Sequence, residues 1–296
     1  MVRCSLFSVP TTDNRQLKMV RIRPMTADDL PLGLRLSEEA GWNQIPADWQ
    51  RFLDLQPDGC FVAEYDGTAV GTTTTCIFGS VAWIAMVLVA ETARGRGVGT
   101  TLMEHALRFL DERGVATVRL DARPMGQPLY ERLGFVEQYR IAHYEGMLMA
   151  APEVAGIEDA AADYWEELMD LDEQITRTDR RRLLRRLFSE NPRAVRVIRM
   201  GHNLGGYWTA RPGKKAIRLG PCIATANASP LLLADAWHRH AGQRVAIDVP
   251  VANEAASQWV ESHGLTLQHT LMRMCRGKPV IEQVECLWAS SGPEKG

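Results

Sequence analysis

The chain has 296 residues, of which 46% are hydrophobic and 24% charged, with a formal net charge of -2. This is an ordinary globular composition, and the length suits two domains of roughly 150 residues each. Lys and Arg are spread along the chain, which gives no electrostatic reason to expect nucleic acid or an anionic membrane as partner, and no apolar run approaches the ~20 residues that a spanning helix needs.

The N-terminus lacks a signal-peptide core. Residues 1–18 are polar and read as a flexible arm. The six cysteines, Cys4, Cys60, Cys76, Cys222, Cys275 and Cys286, form no C-x-x-C pair and no Cys/His spacing of zinc type, so we expect reduced thiols, a cytoplasmic protein and no metal. The folded pattern starts near Met19. A strand over residues 20–24 is followed by Thr26 as an N-cap and by Asp28 and Asp29, which open a helix toward Glu39. Residues 60–65 and 69–77 are β-rich runs joined by Asp66-Gly67, a hairpin signal, and a third strand covers residues 83–89. After a glycine-rich loop, Leu102, Met103, Ala106, Leu107 and Leu110 recur at helical spacing up to Gly114. A buried strand over residues 115–121 and a short helix over residues 129–133 lead into Gly134-Phe135.

Slid on the first half, the second half repeats it. At an offset of 130, Arg94 falls on Ala224, Gly97 on Asn227, Gly99 on Ser229, Leu102 on Leu232, Tyr130 on Val260 and Gly134 on Gly264; at 134, Gly67 falls on Gly201 and Gly71 on Gly205. The chain therefore divides into residues 19–150 and a degenerate copy over residues 151–296, each of mixed α/β class. The arginine run Arg180-Arg181-Arg182 and Arg185-Arg186 reads as the solvated face of a helix with Leu183, Leu184 and Leu187 inside. Asp248, Val249, Pro250 and Asn253 suit either a pocket lining or a buried cap.

The sharpest signal is Arg94-Gly95-Arg96-Gly97-Val98-Gly99, followed by Thr100, between a strand and an amphipathic helix. Glycines permit positive φ, and N–H groups at a helix N-terminus, aided by the helix dipole, suit a pyrophosphate. The dinucleotide fingerprint G-x-G-x-x-G fails here by one residue, although Asp121 stands ~20 residues downstream, where a ribose-binding acid belongs. No G-K-[ST] follows, which excludes a P-loop.

This loop resembles the signature Q/R-x-x-G-x-G/A of the GNAT N-acetyltransferase superfamily, as do Leu88-Val89 before it and Leu129-Tyr130-Glu131-Arg132-Leu133-Gly134-Phe135 after it. The segments Gly41-Trp42-Asn43-Gln44, Trp83-Ile84-Ala85-Met86-Val87-Leu88-Val89 and Leu219-Gly220-Pro221-Cys222 are similar to bacterial tandem GNAT proteins of the YitH/HolE type. The resemblance implies two tandem GNAT-like domains with acetyl-CoA as cosubstrate. It implies a strand splayed at Val87, Leu88 and Val89 to receive the pantetheine arm, a pyrophosphate site over residues 94–100, and Tyr130 as the acid that protonates the leaving thiolate. The family's usual Asn ahead of the Tyr aligns with Arg123, a departure from the pattern.

The acceptor implied is a small-molecule primary amine or a peptide, attacked in a ternary complex. Trp42, Asn43 and Trp49 are candidates for its pocket. Glu91, Glu64, His143 and Glu39 are conceivable bases among which the sequence does not choose. A coenzyme A-binding sensor without turnover is the alternative from another class. The second copy, lacking the arginine, the glycines and the tyrosine, is expected to support the first rather than to bind coenzyme A.

Overall fold

The computed structural model describes residues 20–225 and 228–292; the expected arm at residues 1–18 lies outside them. The first half runs β1 (Val20–Pro24), α1 (Leu30–Glu39), α2 (Pro46–Leu55), β2 (Cys60–Tyr65), β3 (Thr68–Phe78), β4 (Val81–Val89), α3 (Val98–Asp111), β5 (Thr117–Ala122), α4 (Gln127–Arg132) and β6 (Val136–Met147). The second runs β7 (Ile157–Asp159), α5 (Trp165–Thr176), α6 (Arg181–Glu190), β8 (Arg196–Met200), β9 (Asn203–Arg211), β10 (Ile217–Ala224), α7 (Ser229–Arg239), β11 (Arg244–Pro250), α8 (Glu254–Ser262), β12 (Thr266–Gly277) and β13 (Leu287–Ala289).

Local chemistry accounts for several boundaries. Asp66 and Gly67 both take positive φ, 56° and 74°, as a tight turn between twisted strands requires. The Asp29 carboxylate accepts the Thr26 N–H at 2.9 Å and is gripped by Arg23 at 2.7 Å, which fixes the start of the first helical segment. Helix α2 is absent from the sequence reading. Pro46 sits in its first turn, Asp48 accepts the Ile45 N–H at 3.0 Å, and Trp49, Phe52 and Leu55 are buried.

The strands form one mixed sheet in the order β1-β2-β3-β4-β5-β12-β6-β11-β10-β9-β8-β7, with β13 added on β10. Among the described residues only β4 with β5 and β10 with β11 pair in parallel. The order is symmetric about the β12–β6 contact, so the halves are copies of one unit. They also exchange their last strands: β12 pairs with β5, and β6 pairs with β11. The side chains agree. Met272 and Met274 of β12 lie in a core cluster shared by both halves, which includes Leu102 and Leu120, while Ala142 and Tyr144 of β6 join a cluster otherwise built almost entirely from the second half. The sheet is thus continuous across the expected boundary at residue 150.

Two expectations shift. The hairpins correspond one residue away from the expected register, because Tyr65 with Thr68 and Met200 with Asn203 close the two turns. In α6, Leu183, Leu184 and Leu187 are buried as expected, but Arg180 is not solvated: it lies 5% exposed and forks onto Asp172 at 2.7 and 3.0 Å.

Candidate active site

The site begins with a defect in β4. Its register against β3 shifts between Thr72 and Thr74. Opposite that shift Met86 takes φ 51°, and its carbonyl accepts the Thr72 hydroxyl at 2.8 Å. Such a bulge bends and twists the strand. On the other edge, the parallel ladder with β5 covers only Val81, Ala82 and Trp83 against Thr117, Val118 and Arg119. Beyond Trp83 the strands separate. Val87, Leu88 and Val89 keep their β3 partners only at Leu88 and Val89, and among the described residues no strand lies beside their β5-facing edge. An extended amide-bearing ligand fits such an edge by strand addition.

The slot opens onto residues 94–99. Gly95 and Gly97 take φ 72° and 80°, with Gly97 as the left-handed N-cap of α3. Arg94, Gly95, Arg96 and Gly97 are exposed, Gly99 and Thr100 are half-buried, and Val98 is in the core. Val98 can therefore offer a ligand its backbone N–H alone. The first-turn N–H groups of α3 have no intrahelical acceptor, and they head the slot under the positive end of the helix. Arg94 folds back so that its Nε donates to the Val89 carbonyl at 3.1 Å, and Arg96 lies over the Tyr65 ring at 5.2 Å.

Tyr130 stands on α4, whose Leu129 reaches the same end of β4: a Cβ at Gly99 would lie 3.7 Å from Val89 and 3.9 Å from Leu129. The Tyr130 ring packs edge-on to Phe135 at 6.1 Å and closely on Gly126. Its hydroxyl bonds to no described residue, and burial pushes the phenol up to about 12. The group therefore keeps its proton at neutral pH, as a general acid must.

The three candidates for the acceptor pocket separate. Trp49 is fully buried, donates from Nε1 to Ser37 Oγ at 3.2 Å and packs on Gly33, so it cannot touch a ligand. Asn43 spends its amide on the second half, bonding to the Ala216 carbonyl at 2.8 Å and to the N–H groups of Lys215 and Ala216 at 2.6 and 3.1 Å. Trp42 is half-buried beside the Arg123 guanidinium, at 5.9 Å, which pairs with no other described residue.

Among the conceivable bases, Glu64 is paired with Arg23, Glu39 with Arg35, and Glu91 with Arg94 on the loop. His143 bonds to Asp248 at 2.6 Å and to Glu145 at 3.1 Å. Asp121 is sealed against Arg273 at 2.9 Å through both oxygens, which removes it as a ribose-binding acid.

The sequence reading missed His269. Its strand, β12, is in the second half, and only the exchange sets it at the carboxyl end of β5, with its ring 4.7 Å from that of His143.

The second half repeats the splay without the site. Ile217, Arg218 and Leu219 pair in parallel with Val245, Ala246 and Ile247, and the register with β9 then shifts. The opening is filled by the chain itself, since β13 pairs with β10 at Cys222 and Ile223, and the Ser290 N–H donates to the Asp248 carbonyl at 2.8 Å. Asn253 caps α8 and ties this segment down through the Leu287 carbonyl at 3.0 Å, which settles it as a buried cap. Four residues separate β10 from α7, against eight between β4 and α3, too short a connection to repeat the loop over residues 90–97. Val260 holds the position of Tyr130, because Leu265 bonds back to it as Phe135 does to Tyr130.

Comparison with known proteins finds two GNAT domains in tandem. The profile of the Acetyltransferase (GNAT) family matches residues 29–135, and that of an Acetyltransferase (GNAT) domain matches residues 168–289. Holothin acyltransferase of Pseudoalteromonas sp. (strain SANK 73390) is 28% identical over 243 residues, covering 80% of this chain and 81% of that protein. Among solved structures, a Pyrococcus horikoshii protein assigned as an acetyltransferase superposes with a TM-score of 0.79 at 24% identity, covering 96% of this chain and 98% of that one. A tandem GNAT protein from the clavulanic acid biosynthesis pathway does so with a TM-score of 0.62 at 14% identity, covering 89% of this chain and 100% of that one. Among the described residues no helix is long and apolar enough to cross a membrane, and no group of His, Cys, Asp or Glu suits a metal ion.

Proposed function

Since this chain belongs to the GNAT acetyltransferase family and is an acyltransferase, we propose that its first half transfers acetyl from acetyl-CoA to a primary amine by direct attack in a ternary complex. The observation that carries this reading is the slot between β4 and β5, which joins an unpaired strand edge at Val87, Leu88 and Val89 to the glycine loop at the N-terminus of α3. The pantetheine amides pair with the strand edge, and the pyrophosphate takes the N–H groups of residues 95–100 with Arg94 and Arg96 at the rim.

The amine nitrogen attacks the thioester carbon. An N–H near Val89 stabilises the resulting oxyanion, an effect worth about 3 kcal/mol per donor in better-known acyl-transfer sites. The C–S bond then breaks, Tyr130 gives its proton to the sulfur, and the amine loses its own to solvent or a nearby base. The Pseudoalteromonas relative is a holothin acyltransferase, which favours a holothin-like acceptor over a peptide here. The test is a calorimetric titration with acetyl-CoA, followed by an amine screen read by free-thiol release. Saturable binding that is lost in Arg94→Ala/Gly97→Ala, together with amine-dependent thiol release, supports the reading; acetyl-CoA binding indifferent to that double variant overturns it.

A further inference from the structure

On the sheet face that carries Asp121, the arginines of the strands are matched to carboxylates. Arg119 pairs with Glu282 at 2.5 Å, Arg273 with Asp121 at 2.9 Å, and Arg218 with Asp248. Arg123, the first residue after β5, is different. It is exposed, and its guanidinium has no hydrogen bond or ion pair to a described residue, only the Trp42 ring at 5.9 Å.

His269 adds to this. The pairing of Met272 with Ala122 sets His269 past the carboxyl end of β5, the end at which β4 and β5 have parted. Charged groups around it are Arg123, His143, Asp248 and Glu145. Both carboxylates are taken: Asp248 by His143 and Arg218, and Glu145 by His143 and Arg244. Two nitrogen donors are therefore left near the carboxyl end of β5 with no anion among the described residues to satisfy them.

We propose that the acceptor amine carries a carboxylate, that Arg123 binds it, and that His269 donates a second hydrogen bond to it against the wall formed by Trp42. A planar guanidinium matches a carboxylate through two parallel bonds. The same positive charge also disfavours the protonated ammonium form of the amine, which cannot attack. This assignment rests on the reading that donor and acceptor meet at the end of β5, and it makes the acceptor site joint property of the two halves through the exchanged strand.

The test uses the full chain saturated with coenzyme A, titrated with benzoate and with benzamide, with the His269 imidazole followed by NMR in wild type, Arg123→Ala and Arg123→Lys. Benzoate should bind saturably and raise the pH at which His269 titrates, whereas benzamide should not. Arg123→Ala should weaken benzoate by at least about tenfold, and Arg123→Lys by less, with coenzyme A affinity unaltered in both. Benzoate binding no tighter than benzamide, or indifferent to Arg123→Ala, overturns the proposal, as does a loss of coenzyme A affinity in that variant, which would assign the arginine to the donor. Failure of the wild type to bind coenzyme A at all would instead remove the donor reading on which the proposal rests.

Discussion

Asn43 and Ala216 exchange a pair of hydrogen bonds across the two halves: Nδ2 donates to the Ala216 carbonyl at 2.8 Å, and Oδ1 accepts the Ala216 N–H at 3.1 Å. The side chain thus behaves like a strand residue, and it clasps the loop after α1 to the β9–β10 turn. Next to it a Cβ at Gly213 would fall 2.2 Å from Nδ2, so the approach tolerates nothing larger. Asn43→Ala should lose about 1–3 kcal/mol of stability through unmet backbone groups, visible as a lower Tm, while acetyl-CoA affinity stays unchanged. An unaltered Tm would mean that the clasp contributes nothing.

Gly97 tests the loop through its backbone. At φ 80° with no atom within 4 Å of a built Cβ, an added methyl meets no neighbour, and only the left-handed conformation is strained. Gly97→Ala should therefore fold, cost about 1–2 kcal/mol, and weaken acetyl-CoA by moving the N–H groups at the head of α3. Asn tolerates this region better than Ala, so Gly97→Asn should fall between wild type and Gly97→Ala in calorimetric Kd. An Asn variant as poor as Ala would point to side-chain obstruction instead.

Tyr130→Phe removes one hydroxyl that bonds to no described residue, so the fold has nothing to lose by it. Turnover should drop by about 10²–10⁴-fold if the phenol protonates the thiolate, with acetyl-CoA Kd unchanged. Because the phenol is held at about 12, its deprotonation should not limit kcat at or below neutral pH or in the mildly alkaline range. A variant with wild-type kcat would leave the leaving group to be protonated by water.

The slot was readable because its parts are local: the loop, the strand before it and the helix after it are contiguous, and Gly95 and Gly97 mark backbone positions that the structure holds at positive φ. The partners of β6 and β12 were not. In both strands alternate residues, such as Ile141 and His143 or Leu271 and His269, share one face, and alternation fixes that face without saying which neighbour the strand joins. For the same reason the contribution of His269 was hidden while that of Tyr130 was not. Trp49 and Asn43 were misread because an aromatic and an amide beside a binding fold look alike whether they face a ligand or a helix. The segment that fills the second slot, Leu287–Ala289, is only three residues long and has no periodicity to read.

The strand exchange also sets a pH dependence. Burial would push the His143 imidazole down, but its hydrogen bond to Asp248 and that carboxylate's charge outweigh burial and raise it above the ordinary value of 6.5. For His269 burial, reinforced by the charges of His143 and Arg123, lowers it to about 4. The signs are opposite. Between about pH 6.5 and 4 the unfolded chain takes up a proton at residue 269 that the folded chain refuses, so stability falls as pH falls through that window. The His143 contribution is present below its unfolded value and is lost as pH rises through its higher folded one. His269→Gln should therefore flatten the acid limb of Tm against pH, and His143→Gln should flatten the near-neutral and alkaline decline. Thermal unfolding of the three proteins from about pH 4 to 9 distinguishes the roles, and parallel curves for His269→Gln and wild type on the acid side would show that residue 269 is free to protonate in the fold.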